Sequence, residues 1–352
     1  MQADTLDEAR RQLQICNACR YCEGYCSAFP AITRLRAFTD GDITQIANLC
    51  HNCRGCYYAC QYTAPHEFDL NLPKALAEVR TDSWKSYVWP QQAGAIFRRN
   101  GWTTVLFCIL SFAVLFFAIS ALKPESGEGF YTVLSHNAMV ALFAPAFLLP
   151  LAALFFGLTR YWRDIGGARI QLSHIKNAVT QAATMRNLSG GHGDGCNFEE
   201  EERFSSSRKH AHHAVMYGFL LCFASTSTGT VLHYGFDLPA PYGFLSLPKL
   251  FGITGGILLT IGCGAMLWLK SKAKKTLSDE RTASADNAFI WLLGFVGFSG
   301  LVLYALGQTV LMPSLLAIHL GAVLTFFLLT PYTKMAHGFF RLAALIRDAQ
   351  QR

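Results

Sequence analysis

The chain has 352 residues, 52% of them hydrophobic and only 15% charged, a composition too apolar for an ordinary soluble protein of this length. Its formal net charge is +7, but the basic residues sit in loops between apolar runs, which accounts for the excess without a nucleic-acid partner. The polar residues are also segregated: 1–95 are polar and Cys-rich, and 96–352 read as long apolar stretches.

Two cysteine runs dominate the first part, Cys16-x2-Cys19-x2-Cys22-x3-Cys26 and Cys50-x2-Cys53-x2-Cys56-x3-Cys60. Three thiolates two residues apart can bind three irons of one cubane, and the fourth Cys of such a run points at the neighbouring cluster. That rule assigns Cys16, Cys19, Cys22 and Cys60 to one [4Fe–4S] cluster and Cys50, Cys53, Cys56 and Cys26 to the other. A zinc site would leave the third closely spaced Cys unexplained, and disulfides have no reason to repeat the spacing. Ser27 and Gln61, not Pro, follow the two runs. Helices are expected over 6–15, 42–49 and 72–79, with Pro73 in a helix-starting position.

From Trp102 onward six runs of spanning length follow, near 102–122, 137–158, 213–232, 250–269, 289–306 and 315–333. Pro145 and Pro150 fall in the second, where a kinked membrane helix tolerates them. Basic residues crowd the segments before the first span, after the second, after the fourth and after the sixth, whereas the opposite loops hold only Lys123 and Lys249. The positive-inside rule then places both termini in the cytoplasm. No secretory pattern precedes the first Cys, so the N-terminal domain is expected on that side as well.

The loop at 159–212 divides in two. Its first part, with Ile170, Leu172, Ile175 and Val179 spaced among polar residues, reads as an amphipathic helix on the membrane interface. Its Gly-rich second part carries His192, Asp194 and Cys196, whose spacing is not diagnostic of a metal site. Cys108, Cys222 and Cys263 lie in apolar spans and read as buried small hydrophobes, and Gly262 and Gly264 read as close helix packing.

Histidine at a span is costly and usually functional. His136, His213, His233, His319 and His337 are candidates for the axial imidazoles of a b haem, while His210 and His212 read as interfacial. His319 and His337 are 18 residues apart, five turns on one helix face with a rise of about 27 Å, so each needs its own partner. Antiparallel spans pair His213 with His337 on the cytoplasmic side. On the outer side His233 pairs with His319, and His136 competes there. No Gly-rich nucleotide fingerprint and no nucleophile–base constellation is visible.

The segments His213-Ala-Val-Met-Tyr-Gly218-Phe and Pro331-Tyr-Thr-Lys-Met-Ala-His337 resemble cytochrome b subunits of nitrate reductase and heterodisulfide reductase. With both Cys runs ahead of six spans, and with Tyr161-Trp-Arg-Asp164 and Ser246-Leu-Pro-Lys249, nearly the whole chain resembles the tricarballylate or citrate utilisation protein B family. The resemblance implies a mostly α protein: a helical, ferredoxin-like domain with two [4Fe–4S] clusters (1–95), fused to a six-helix, cytochrome b-like transmembrane bundle (96–352). It implies residence in a bacterial inner membrane and one or two b haems. It implies reoxidation of the reduced FAD of a tricarballylate dehydrogenase-like partner, with quinone as acceptor. A membrane-anchored redox sensor, or a respiratory subunit of the heterodisulfide or nitrate reductase type, are the rival readings.

Overall fold

The structure, a computed structural model, describes residues 3–122, 133–199 and 203–352. The described residues are helical with no strand, apart from one antiparallel bridge between Cys196 and Ser205.

The N-terminal part is built from α1 (Ala3–Cys19), α2 (Phe29–Thr33), α3 (Asp40–Leu49), α4 (Gly55–Tyr58) and α5 (Leu72–Tyr87). In α1, Leu6, Ala9, Leu13 and Cys16 recur at helical spacing and are all buried. A capping box starts α3: Thr39 Oγ1 accepts from Asp42 N at 3.2 Å, and Thr39 N donates to Asp42 Oδ2 at 3.0 Å. At the start of α5, Asn71 Oδ1 accepts from Lys74 N at 3.2 Å and Pro73 occupies the first turn. These three helices include the three expected ones, and α5 runs on to Tyr87.

A short helix, α6 (Gln91–Arg99), leads into α7 (Gly101–Leu122). Then come α8 (His136–Asp164), α9 (Leu172–Thr184), α10 (Ser207–Phe236), α11 (Leu247–Lys272), α12 (Ala283–Leu306), α13 (Met312–Leu329) and α14 (Ala336–Gln350). Six helices, α7, α8 and α10–α13, are long and apolar enough to cross a membrane. Helix α8 continues through Pro145 and Pro150.

Glycines set the bundle's tightest contacts. A Cβ on Gly218 of α10 would lie 2.5 Å from Leu259 N of α11, and one on Gly262 would lie 2.8 Å from Val215 N. Such backbone-to-backbone approach is how spans associate where lipid removes the hydrophobic drive. Gly264 has nothing within 4 Å, so of the expected pair only Gly262 serves packing. Helix α8 meets α13 and α10 through aromatic rings, Phe143 and Phe147 against Phe327 and Phe147 against Phe223.

Two elements tie the bundle to the N-terminal domain. Ala344 and Leu345 of α14 and Ala178 of α9 are buried in the same core as α1, α3 and α5. Arg34 pairs with Asp348, and Gln45 Nε2 donates to Gln351 Oε1 at 2.8 Å. The amphipathic reading of α9 therefore needs an addition. One face packs on protein, while Ile170, Leu172, Ile175 and Val179 stay exposed.

The sixth span departs from expectation. It ends at Leu329, a 3-10 turn over Thr330–Tyr332 follows, and α14 starts afresh at Ala336. Pro331 lacks the N–H that would continue the helix. His319 and His337 therefore lie on different helices and share no face.

Gly218→Leu is expected to force α10 off α11 and to cost about 1–3 kcal/mol, read as a lower thermal midpoint in detergent. Gly264→Leu should leave the midpoint unchanged. Equal midpoints for the two variants would refute the close contact.

Candidate metal centres

Left-handed turns wrap the chain around its thiols. Arg20 has φ +56° just after α1 ends at Cys19. Asn52 and Arg54 have φ +51° and +70° on either side of Cys53. Non-Gly residues hold such φ values only at a cost of about 1–3 kcal/mol, a cost met at functional sites.

Cys16, Cys19, Cys22 and Cys60 line one small cavity with Arg20, Tyr21, Gln61, Tyr62 and Leu70. Tyr62 N donates to Cys60 Sγ at 3.3 Å. Burial and the neighbouring Cys22, Cys60 and Cys19 push the Cys16 thiol up to about 12. Burial and Cys60 push Cys22 up to about 11. Tyr21 is 68% exposed, so this cavity stands at the surface.

The second group contains Cys26, Cys50, Cys53 and Cys56. The Cys26 thiol is raised by burial, then by Cys53 and Cys50; that of Cys56 is raised by burial, then by Cys26 and Cys53. Cys26 thus leaves its own run to join the second, as Cys60 joins the first. Thiols that raise one another are poor company without a cation, and bound iron would supply the missing charge. Among the described residues no three His, Cys, Asp or Glu converge on a single ion. A tetrahedral zinc needs four donors each about 2.3 Å away, whereas a four-iron cube spreads its thiolates around a larger body. The donor set therefore fits cubane clusters better than zinc.

The second group is fastened to the membrane bundle. Asn52 Nδ2 donates to Leu277 O at 3.0 Å, and Asn197 N donates to Cys53 O at 2.9 Å. Four arginines from separate parts of the chain, Arg54, Arg80, Arg208 and Arg341, bond the segment around it. Arg341 reaches from α14 to Asn48 O at 3.0 Å and Cys50 O at 2.7 Å. No sequence pattern announces this set, because its members meet only in the fold.

Cys196 is buried beside Cys53, and Cys196 Sγ donates to Leu188 O at 3.2 Å. Contact with Cys196 lowers the Cys53 thiol to about 6 at the expense of Cys196. His192 instead packs edge-on against Tyr25 and lies over Gly24. His192, Asp194 and Cys196 form no joint site. Cys263 is buried in the bundle core, with Cys222 packed against it; Cys108 is half-buried.

The histidine pairings need correction. His213 does not meet His337: its Nε2 lies 3.2 Å from Ala183 O, and its ring rests on Tyr217. His337 faces His212, ring centres 5.8 Å apart, with Trp84 at 6.4 Å. Neighbours on a helix point about 100° apart, so once Ala183 of α9 takes His213, His212 faces inward. The two rings cross at 74°, and if a haem binds here, these two imidazoles would hold its iron. His337 Nδ1 bonds Lys334 O, leaving Nε2 for a metal, and His212 Nδ1 is buried with no hydrogen-bond partner. Burial, then Arg341, holds His337 well below the usual imidazole range, in the neutral form that ligates. This pair fits a metal-centred macrocycle. His51, beside Cys50, is likewise held neutral by burial and Arg341.

The outer pair is not formed. His319 Nδ1 lies 3.0 Å from Ser299 Oγ on α12. His233 stacks on His136 with ring centres 4.2 Å apart, and His136 Nε2 lies 2.7 Å from Tyr234 OH. Stacked rings at that distance leave no room for a metal between His136 and His233.

Comparison with known proteins agrees with this arrangement of parts. Residues 9–86 match the family described as Citrate utilization protein B Fer4-like domain, and residues 103–352 match Citrate utilization protein B. Citrate utilization protein B of Escherichia coli is 43% identical over 347 residues, 97% of this chain and 91% of that protein. No solved structure matches the chain. An iron–sulfur-type helical domain joined to six candidate spans, with similarity along almost its whole length, places the chain in the citrate utilisation protein B family.

Proposed function

We propose that the chain carries electrons from the reduced flavin of a partner dehydrogenase to quinone, in the use of citrate or a similar tricarboxylate. The name of the Escherichia coli relative supplies the metabolic setting. The observation that carries the reading is the crossed arrangement of eight thiols, one group at the surface and one against the bundle.

In this reading Cys16, Cys19, Cys22 and Cys60 hold one [4Fe–4S] cluster and Cys26, Cys50, Cys53 and Cys56 the other, while His212 and His337 hold one b haem. These groups supply one-electron chemistry, and the chain's residues provide the rest. Exposed Tyr21 and half-buried Cys19 present the first site to a flavoprotein surface. Trp84 lies 6.4 Å from His337, ring centre to ring centre, and His51 follows Cys50 directly, so polarisable rings stand beside both sites. Trp84 is fixed there by its Nε1–H, which donates to Asn48 Oδ1 at 2.8 Å. Lipid surrounds the six spans, and both termini face the cytoplasm.

Anaerobic addition of the reduced partner flavoprotein to purified protein should give low-spin haem b absorption bands that sharpen on reduction. His337→Ala and His212→Ala should lose those bands while keeping about eight irons in the clusters, at four per cubane. His213→Ala should keep the bands. Haem retained in both H212A and H337A would sink this ligand assignment. Cys56→Ser should lose cluster iron, and full iron in that variant would contradict the cluster assignment.

A reporter fused after Arg352 is expected to be active only if it works in the cytoplasm. Activity of a periplasmic reporter at that position would invert the proposed topology.

A further inference from the structure

We infer that Arg54, Arg80, Arg208 and Arg341 give the electron its direction, by making the second cluster the easier of the two to reduce. The inference rests on the two-cluster reading above. It concerns residues that no sequence pattern or family match singles out.

The four guanidinium groups surround one short stretch of backbone. Arg80 Nη1 donates to Cys50 O at 2.6 Å and Ala47 O at 3.2 Å. Arg341 donates to Asn48 O and Cys50 O, and Arg208 Nη1 donates to Asn52 O at 2.8 Å. Arg54, 2% exposed, donates to Asn52 Oδ1 at 3.4 Å and to Phe198 O at 3.1 Å. Arg54 and Arg208 also lie over the Phe198 ring, at 4.5 and 4.1 Å from its centre. They come from α4's leading edge, α5, α10 and α14, so the fold gathers them.

Among the described residues none of the four forms an ion pair with Asp or Glu. The carboxylate that acts on Arg80, Asp286, is held by Lys334 and by Lys270 at 3.8 Å. Gathering cations in a poorly hydrated place is expensive unless an anion joins them. Four thiolates around iron make such an anion, and one that becomes more negative on reduction.

The first site has no such cage. Arg20 lines it, but Arg20 is exposed and turned back onto Asn17, with Nε to Asn17 O at 2.8 Å. Net charge and hydrogen bonding near the sulfurs tune the potentials of these clusters. Water at the open first site also eases reduction there. Four charges at hydrogen-bond range of the second segment, Arg54 buried and the other three partly buried, outweigh one wet edge. One electron then passes from the first site to the second. The first is left oxidised and the second reduced, and no bond or proton moves.

A plain structural role, in which the arginines only tie down loop carbonyls, predicts folding defects but no change of potential. The test is an anaerobic redox titration of full-length protein followed by electron paramagnetic resonance, after iron analysis. About eight irons in the wild type secure the underlying reading; fewer than half would sink that reading rather than the direction of flow. Two midpoints are expected. Arg341→Gln should lower the higher one by at least tenfold in its reduction equilibrium, about 59 mV for a one-electron couple. It should leave the lower midpoint in place. Arg341→Lys should restore most of the shift, and Arg11→Gln, at a remote surface pair with Glu8, should shift neither. If Arg341→Gln fails to load iron, Arg208→Gln carries the same expectation, since Arg208 bonds only one carbonyl of the segment. Unchanged midpoints in an iron-replete variant would overturn the inference, as would a shift confined to the lower midpoint.

Discussion

Among the contacts that join the two halves of this protein, one reaches the second Cys run from near the far end of the chain. The guanidinium of Arg341, just beyond the last span, bonds the carbonyls of Asn48 and Cys50 where α3 gives way to the second Cys run. A helix C-terminus leaves carbonyls without partners, and here the cation that satisfies them comes from the far end of the chain. The same helix brings His337, one turn earlier on α14, beside Trp84. The approach of the thiols to the histidines, and hence the proposed electron path, depends on it.

The charge pattern of the N-terminal domain follows from that junction. Its outer thiols stand among tyrosine, glutamine and one exposed arginine, Arg20, and its inner thiols among four arginines. A uniform domain would hold electrons equally well at both ends. Here the side turned to the bundle is the positive side, and burial rather than mere number makes those charges count.

Much of this was legible in the sequence. Cys spacing, the Pro73 helix start and six apolar runs are local signals, and the helix start and the runs reappear in the fold close to their expected places. What stayed hidden depended on helix rotation and on long-range meetings. His212 and His213 differ by one position, and only the presence of α9 against His213 decides which faces inward. The 18-residue spacing of His319 and His337 suggested a shared face, yet Pro331 already carried the break. That misreading weighed periodicity above a proline that cannot continue a helix. The arginines around Asn52 could not be found as a set, since they are spread along the chain from Arg54 to Arg341.

The buried core of the N-terminal domain has one more consequence. It is completed by Ala178 from α9 and by Ala344 and Leu345 from α14. Those last residues are made only after six apolar helices have left the ribosome. At about 5–20 residues per second, the stretch from α5 to α14 takes some tens of seconds to synthesise. Through that interval the eight thiols stand in a half-built scaffold, without the arginine that ties α14 to Cys50. On the proposed cluster reading, the complete scaffold exists only once the membrane helices are made and the tail has folded back over the start of the chain.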